Sequence, residues 1–112
     1  MNANPETERR RHRRLELTNL VAYKSFGIEE VTETINISLG GMQIRTEFAL
    51  EKDENLDVSL RIGEEEFKSR ARVMYCNSRN DQAYEVGLKF EGTSRRYRTL
   101  LDQYLSNQTQ IA

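Results

Sequence analysis

Cysteine, histidine, proline and tryptophan are nearly missing from this chain of 112 residues, which contains one, one, one and none of them. The single Cys76 excludes an internal disulfide framework, and with the lone His12 it leaves almost no ligands for a zinc site. No apolar run reaches about 18 residues, so neither a transmembrane helix nor stable membrane insertion is expected. The N-terminal stretch MNANPETERRR lacks the apolar core of a secretory signal, and a soluble cytoplasmic domain is therefore the default expectation.

The sequence also lacks the motifs that carry enzymatic chemistry. Neither GxxxxGK[ST] nor GxGxxG occurs, and no spacing suggests a Ser–His–carboxylate arrangement. Cys76 has no obvious activating partner. The acidic clusters at 29–30 and 64–66 are typical of solvated turns rather than of paired catalytic carboxylates. We therefore expect no catalytic residue, no metal, no cofactor and no enzymatic activity.

Charge is balanced in total but unevenly distributed along the chain. The 17 basic and 18 acidic residues give a net charge of −1. Residues 8–14 read ERRRHRR, with five arginines in seven positions, whereas 29–66 carry 11 acidic residues against three basic ones. A general nucleic-acid binder spreads positive charge over a face, because its affinity comes from neutralising many phosphates. Charge concentrated at one point favours a compact anionic ligand, the alternative being a solvated basic arm.

From Leu15 to Phe90 the dominant sequence period is two, which is typical of half-buried strands. The segments 15–26, 31–39, 42–48, 56–62, 67–76 and 83–90 fit this pattern. Two of them carry apolar residues predicted to share the core face. These are Val31, Ile35, Ile37 and Leu39 on one strand, and Phe67, Ala71, Val73 and Tyr75 on another. Roughly six short strands predict an all-β domain, either a small antiparallel barrel or a sandwich.

After Gly92 the period changes to that of a helix. In TSRRYRTLLDQYL the apolar positions recur at helical spacing, after a Thr93 or Ser94 suited to the N-cap. The helix is amphipathic and predicted to pack on the sheet. We expect a single domain over 9–107, preceded by a disordered arm over 1–8 and followed by a disordered tail over 108–112.

The segment NISLGG (36–41) predicts a small polar site. Asn36 offers an amide donor and acceptor, and Ser38 offers a hydroxyl on the same face of the strand. Gly41 permits a sharp turn and the close approach of a ligand, because it has no Cβ. This arrangement suits the edge of a flat polar ring such as a nucleobase. The alternative is a strand that ends in an ordinary glycine turn.

Two groups of basic residues could meet such a ligand. In the arginine run, Arg10 and Arg14 are four residues apart, as are Arg9 and Arg13, and a pair could clamp opposite sides of a ligand. The planar guanidinium pairs bidentately with phosphate or with guanine O6 and N7, and it stacks on bases. The second group is a stripe on one strand face, which is of interest only if it borders the same pocket. It contains Lys68, Arg70 and Arg72.

ERRRHRRL (8–15) and NISLGG (36–41) together resemble the two motifs of the PilZ domain, the bacterial receptor module for the second messenger cyclic dimeric GMP (c-di-GMP). EVGLKFEG (85–92) and the closing helix are similar to the family's last strand and C-terminal helix. The resemblance therefore spans nearly the whole chain. It implies a mainly all-β fold: a small six-stranded antiparallel β-barrel of PilZ type, with a C-terminal α-helix and a flexible N-terminal arm.

The family pattern E-R-R-x-x-x-R, followed by an apolar residue, sets the register of the first motif. It makes Arg10 and Arg14 the motif pair, Arg9 the preceding arginine and Leu15 the start of the first strand. The Arg9/Arg13 register would instead place Arg14 where the apolar residue belongs. By resemblance, these arginines hold the guanine bases and phosphates of c-di-GMP. An arginine before the motif, as here, favours a stacked dimer of the ligand.

The resemblance also assigns roles in the second motif. Asn36 and Ser38 would hydrogen-bond a guanine edge, and Gly41 would shape the turn beneath it. Arg13, Gly40 and Arg72 are secondary candidates for ligand contact. Arg13 replaces a proline that is common in the family, which leaves the segment less stiff.

The function implied is that of a c-di-GMP receptor in which ligand binding orders the arginine segment and so creates a surface for an unidentified protein effector. Such receptors act in motility and biofilm formation, and no nucleic-acid partner is expected. One alternative is a degenerate PilZ-like scaffold that binds proteins but no nucleotide. Another is a small barrel that binds single-stranded nucleic acid, which would want exposed aromatic residues for base stacking.

Overall fold

The structure is a computed structural model, and it describes residues 14–79 and 83–111. Within these residues the chain forms six strands and one helix. The strands are β1 (Leu20–Ser25), β2 (Ile28–Ser38), β3 (Gly41–Thr46), β4 (Asn55–Ile62), β5 (Glu65–Ser78) and β6 (Tyr84–Glu91), and the helix is α1 (Arg95–Ile111). All neighbouring strands are antiparallel, and they close into a barrel in the order β1-β2-β3-β6-β5-β4. The predicted six-stranded antiparallel barrel with a C-terminal helix is thus confirmed.

The barrel core follows the predicted alternation where the strands are regular. On β4 every second side chain is buried, from Leu56 to Ile62, because successive side chains of a strand point alternately to the core and to the outside. Phe67 is fully buried at the centre of an aromatic group, with ring centroids 4.9 Å from Phe90 and 6.1 Å from Tyr97. The Tyr97 contact ties α1 to the barrel core.

A β-bulge interrupts the alternation on β2. The register with β3 shifts between Thr34 and Asn36, so Ile35 is the extra residue. Before the bulge, Thr34 is buried and Val31 is 68% exposed, while after it Ile37 is fully buried. The prediction that Val31 and Ile35 share the core face with Ile37 is therefore wrong, because one inserted residue moves every earlier side chain to the other face.

A second bulge interrupts β5. Val73 lies opposite Leu88 and Tyr75 lies opposite Gly87, which leaves Met74 as the extra residue. Tyr75 is consequently exposed on the outer face of the barrel, together with Met74, while Val73 stays in the core. The prediction that Tyr75 faces the core is wrong for the same reason as on β2.

Helix α1 begins with a serine cap and covers one end of the barrel. The backbone N–H of Tyr97 donates to Ser94 Oγ at 3.3 Å, which satisfies one of the free donors of the first turn. Leu101 and Leu105 are buried against the core. The helix extends to Ile111.

The antiparallel order gives the barrel two distinct ends. The β2–β3 turn, the β4–β5 turn and α1 lie at one end, which we call the helix end. The β1–β2 turn and the β3–β4 loop (47–54) lie at the other, which we call the hairpin end. The loop closes the hairpin end by burying Leu50, whose N–H donates to Cys76 Sγ at 3.5 Å. Among the described residues, no helix has the length and apolar character needed to cross a membrane.

Candidate functional site

The structure brings the end of the arginine run against the NISLGG segment. Leu15 pairs with Ile37 through two backbone hydrogen bonds of 2.9 Å each, which places the preceding residue beside β2. Arg14 Nη1 then donates to Asn36 Oδ1 at 2.8 Å. Arg9, Arg10 and Arg13, the other arginines predicted to bind ligand, lie outside the described residues, as does the predicted 1–8 arm. Of the first motif, Arg14 is therefore the residue whose position is defined.

Asn36 begins a hydrogen-bonded row across the outer face of the barrel. Its Nδ2 donates to Gln43 Oε1 at 2.7 Å, and Gln43 Nε2 donates to the Tyr75 hydroxyl at 2.8 Å. Asn36, Gln43, Gly87 and Tyr75 are direct cross-strand partners on β2, β3, β6 and β5. We call these four residues the amide–aromatic row. The two bulges create it, since they turn Asn36 and Tyr75 outward.

The Tyr75 ring packs against Gly87. A Cβ at position 87 would lie 2.2 Å from Tyr75 Cε2, so the ring packs directly on the glycine backbone. Tyr75 is 38% exposed. Sequence reasoning missed Gln43 and Tyr75 as site residues. A signal did exist, because a glycine inside a strand often marks a close approach, and EVGLKF contains one.

Ser38 is buried in the turn that it helps to close. Its Oγ accepts hydrogen bonds from the N–H of Gly40 at 3.3 Å and of Gly41 at 3.2 Å, and it lies 3.2 Å from Gly41 O. The side chain is 4% exposed, although Asn36 on the same strand face is half-buried. Ser38 therefore shapes the β2–β3 turn in this structure.

Gly41 is required by the packing of strands rather than by an unusual backbone angle. A Cβ at this position would lie 2.1 Å from the carbonyl oxygen of Leu88 and 3.2 Å from Lys89 Cα. The neighbouring Gly40 carbonyl accepts a hydrogen bond from the Phe90 N–H at 2.9 Å. The sequence predicted close approach of a ligand at this glycine, whereas the close approach that the structure shows is that of β6.

A second row runs parallel to the first, two residues further along β2, β3 and β6 and three along β5, where Met74 is inserted. Ser38, Gly41, Lys89 and Arg72 are direct cross-strand partners on β2, β3, β6 and β5. We call them the basic row, since it presents two cations beside the β2–β3 turn. Side chains two residues apart on one strand face are separated by roughly 7 Å. Lys89 is exposed, and sequence reasoning did not single it out.

Arg72 was a secondary candidate, and the structure places it on the same face as Gly41 with Lys89 between them. Its Nη2 lies 3.0 Å from Glu91 Oε2, and its Nε is buried without a hydrogen-bond partner among the described residues. The guanidinium is therefore only partly satisfied. Lys68 and Arg70, the other members of the predicted stripe, are exposed on the same strand.

Metal chemistry has no ligand set in the part of the chain that the structure describes, where no group of three His, Cys, Asp or Glu side chains could hold an ion. The described site instead combines one arginine, two amides, one aromatic ring and two further cations on a shallow outer face. Such a set can pair with the polar edge of a planar ring, stack on its face and neutralise phosphate.

The family model for the PilZ domain matches residues 8–107 of the sequence. No curated protein gives a significant match. Among solved structures, the Bacillus subtilis inhibitor of motility (MotI/DgrA) aligns with a TM-score of 0.79 at 20% identity, covering 91% of this chain and 51% of that one. YcgR of Escherichia coli in complex with c-di-GMP aligns with a TM-score of 0.78 at 17% identity, covering 91% and 46%.

The PilZ domain of Escherichia coli YcgR with c-di-GMP aligns with a TM-score of 0.71 at 18% identity, covering 87% of this chain and 88% of that domain. The chain thus spans about half the length of MotI/DgrA and of the longer YcgR chain, and nearly all of the isolated domain. At these identities the structural likeness shows the fold alone, whereas the family model covers most of the sequence. The chain belongs to the PilZ domain family.

Proposed function

We propose that this chain binds c-di-GMP on the outer face of β2, β3, β6 and β5, as a receptor rather than an enzyme. The contact between Arg14 and Asn36 carries the proposal, because it joins the two motifs into one polar surface. The structural neighbours solved with c-di-GMP support the choice of ligand by their fold. Because c-di-GMP is a bacterial second messenger, the proposed receptor acts in the cytoplasm.

The amide–aromatic row suits a guanine base. Guanine presents acceptors at O6 and N7, which match the fork of an arginine, and N–H donors on its Watson–Crick edge, which match an amide oxygen. Asn36 and Gln43 already bond to each other, so a base would replace bonds of equal kind rather than desolvate free groups. The Tyr75 ring, seated on Gly87, offers a rigid face for stacking.

The basic row suits the phosphates. Lys89 and Arg72 lie one row away from the amides, a separation that a nucleotide covers from its base to its phosphate. The Glu91 carboxylate now pairs with Arg72, and a phosphate would compete with it for the same guanidinium. We propose that Arg9 and Arg10 supply further contacts to bases and phosphates, with Arg13 and Gly40 as secondary contacts. Arg9 would favour a stacked dimer of the ligand.

The proposed signalling role is that of an adaptor for a protein effector. Without ligand, the clustered arginines repel one another, and the phosphates of c-di-GMP would neutralise them and order the segment over the barrel. The backbone mobility of residues 1–14, measured by NMR relaxation, should then fall when c-di-GMP is added. Unchanged relaxation on saturation with ligand would exclude this switch. Motility is the first process to test, since MotI is named for its inhibition, and biofilm formation is the second.

Isothermal titration of the full chain with c-di-GMP tests the binding itself. We expect Arg14→Ala to weaken affinity at least about tenfold, since a hydrogen-bonded charge is lost. Ser38→Ala should also weaken affinity, because the β2–β3 turn would lose the acceptor for two N–H groups. Arg61→Ala is the matched control, because Arg61 is exposed on β4, the strand farthest from β3 around the barrel.

No heat with the wild-type chain would reject the proposal and leave the protein-binding scaffold as the remaining function. Equal affinity of the Arg14 and Arg61 variants would place the ligand elsewhere. Loss of binding in only one of the Arg14 and Ser38 variants would show that the two motifs do not form one site.

A further inference from the structure

The β1–β2 turn at the hairpin end exposes a phenylalanine that does not contribute to core packing. Phe26 and Gly27 form a two-residue turn with φ angles of 51° and 80°, between Ser25 and its partner Ile28. Such turns favour Asn-Gly, because a bulky residue is strained in the left-handed region. The Phe26 side chain is 84% exposed, so core packing does not compensate for the strain.

Two further apolar side chains are exposed at the same end. Ile28 is 63% exposed beside the turn, and Phe48 is 60% exposed in the 47–54 loop. The loop buries Leu50 in the core and leaves Phe48 in solvent. Three large apolar side chains thus project from the hairpin end, whereas the site proposed for c-di-GMP lies toward the other end of β2.

The apolar side chains are surrounded by negative charge. The segments 24–30 and 47–54 contain six carboxylates and two lysines, Lys24 and Lys52. Burial, together with the charges of Glu30, Glu47 and Glu54, raises the pKa of the Tyr23 phenol at this end. Arg79 at this end has its charge partly met by Glu85, at 3.7 Å. An apolar tip within an acidic rim therefore characterises the surface.

We propose that the hairpin end, through Phe26, Ile28 and Phe48, docks a protein partner whose contact surface is an apolar pocket rimmed by lysine or arginine. The acidic rim argues for this occupant, because it attracts basic side chains and repels phosphates of nucleic acid or anionic lipid. It also repels the same surface of a second copy of the chain. Exposed aromatic anchors are the side chains that dominate binding energy at protein interfaces.

The proposal rests on the adaptor role and adds a second contact for the effector, apart from the surface that the ordered arginine segment would create. β2 joins the two surfaces, with Ile28 at the tip and Ser38 in the ligand site, and its 11 residues span roughly 35 Å. Ligand and partner can therefore occupy the chain together without competing for side chains.

Photo-crosslinking of the full chain in its host cells tests the docking surface. p-Benzoylphenylalanine replaces Phe48 in one version and Leu20 in the control. Leu20 is 55% exposed on the barrel wall and lies at the other end of β1. We expect a protein adduct from position 48 that position 20 does not give. No adduct specific to position 48, or an adduct with a second copy of the chain, overturns the proposal.

The captured protein is then purified and titrated with the unlabelled chain. We expect Phe26→Asn, and separately Glu47→Lys with Glu51→Lys, to weaken its affinity at least about tenfold. Leu20→Ser should leave it within about twofold, and rising salt should weaken the wild-type complex. Affinity unchanged in both the Phe26 and the charge-reversal variants overturns the proposal.

Titration of the same variants with c-di-GMP separates this inference from the proposed ligand site. Phe26→Asn should keep wild-type affinity for c-di-GMP while losing the partner. A chain that docks the partner but binds no c-di-GMP would reject the ligand proposal and leave the docking surface standing. A chain that binds c-di-GMP with no partner at the hairpin end would reject the docking surface and leave the ligand proposal standing.

Discussion

The Tyr75 ring rests on Gly87 so closely that a Cβ there would overlap ring carbon Cε2, at 2.2 Å. The contact fixes the outward ring beside Gln43, whose Nε2 donates to the Tyr75 hydroxyl at 2.8 Å. A single glycine in β6 thus determines where an aromatic residue of β5 can lie, and ligand binding should depend on that position.

We expect Gly87→Ala to weaken c-di-GMP binding about as much as Tyr75→Ala, because the new methyl displaces the ring. In calorimetric titrations the double variant should bind no more weakly than Tyr75→Ala alone, since both changes remove one interaction. Tyr75→Phe keeps the ring and serves as the control that retains most affinity. Additive losses in the double variant would show that Gly87 acts independently of Tyr75.

Gly41→Ala should destabilise the barrel by about 1–3 kcal/mol, because its Cβ would meet a backbone carbonyl that cannot rotate away. Urea unfolding followed by circular dichroism measures this loss. Gly87→Ala provides the comparison and should be the milder change, since its Cβ meets a side chain. Equal stability of the Gly41 variant and the wild type would contradict the close contact between β3 and β6.

Asn36→Asp should stabilise the fold at neutral pH by about 0.5–1 kcal/mol, because the Arg14 bond becomes charge-assisted at a half-buried site. Gln43 can turn its amide toward the carboxylate, since the Tyr75 hydroxyl can donate in its place. Arg14 should hold the pKa of the new carboxyl below its usual value near 3.9. The gain is therefore present above about pH 4 and disappears as pH falls through the folded-state pKa.

Urea unfolding of the wild type and the Asn36→Asp variant from neutral pH to about pH 3 would show the convergence. A second variant pair, with Arg14→Ala in both chains, controls for effects of the carboxyl alone. If the gain persists without Arg14, the charge pair is not its source.

Alkaline conditions should destabilise the protein through Tyr23. Burial, with the charges of Glu30, Glu47 and Glu54, raises its pKa above the usual 10.0. A raised folded-state pKa means that the native state holds the proton more tightly than the unfolded state. The contribution of the protonated Tyr23 to the free energy of unfolding is therefore complete below about pH 10, and it is lost as pH rises through the folded-state pKa. Tyr23→Phe should flatten the decline in unfolding free energy at alkaline pH. An identical decline in both chains would count against Tyr23 as its source.

Phe26→Asn should raise thermal stability, by about 0.5–1 kcal/mol in unfolding free energy, because asparagine tolerates the left-handed turn. Differential scanning calorimetry measures the change. Phe26→Ala is the matched control, since it removes the same ring without relieving the backbone to the same degree. A loss of stability with asparagine would mean that the ring supports the fold.

The number of strands and the core of β4 follow from sequence periodicity, but the faces of β2 and β5 do not. A period of two predicts burial only while the strand is uninterrupted, and Ile35 and Met74 each insert one residue. No local composition marks these insertions, because an alternating sequence reads equally well on either side of them. The errors on Val31 and Tyr75 have this one cause.

The site residues also divide into those that a local sequence pattern marks and those that only the fold brings together. Asn36 could be chosen from sequence because its motif is contiguous, and Arg14 because it lies in an arginine run. Gln43, Tyr75 and Lys89 could not, since their proximity depends on cross-strand register. Gly87 was the one local hint of a close contact between strands.

The two rows cross the strands at right angles, which gives a bound ligand a mechanical role. A molecule lying along them would link the β2–β3 pair to the β5–β6 pair, which lie side by side in the barrel but are distant in sequence. It would oppose separation of those strands, so ligand binding would make that side of the barrel more rigid.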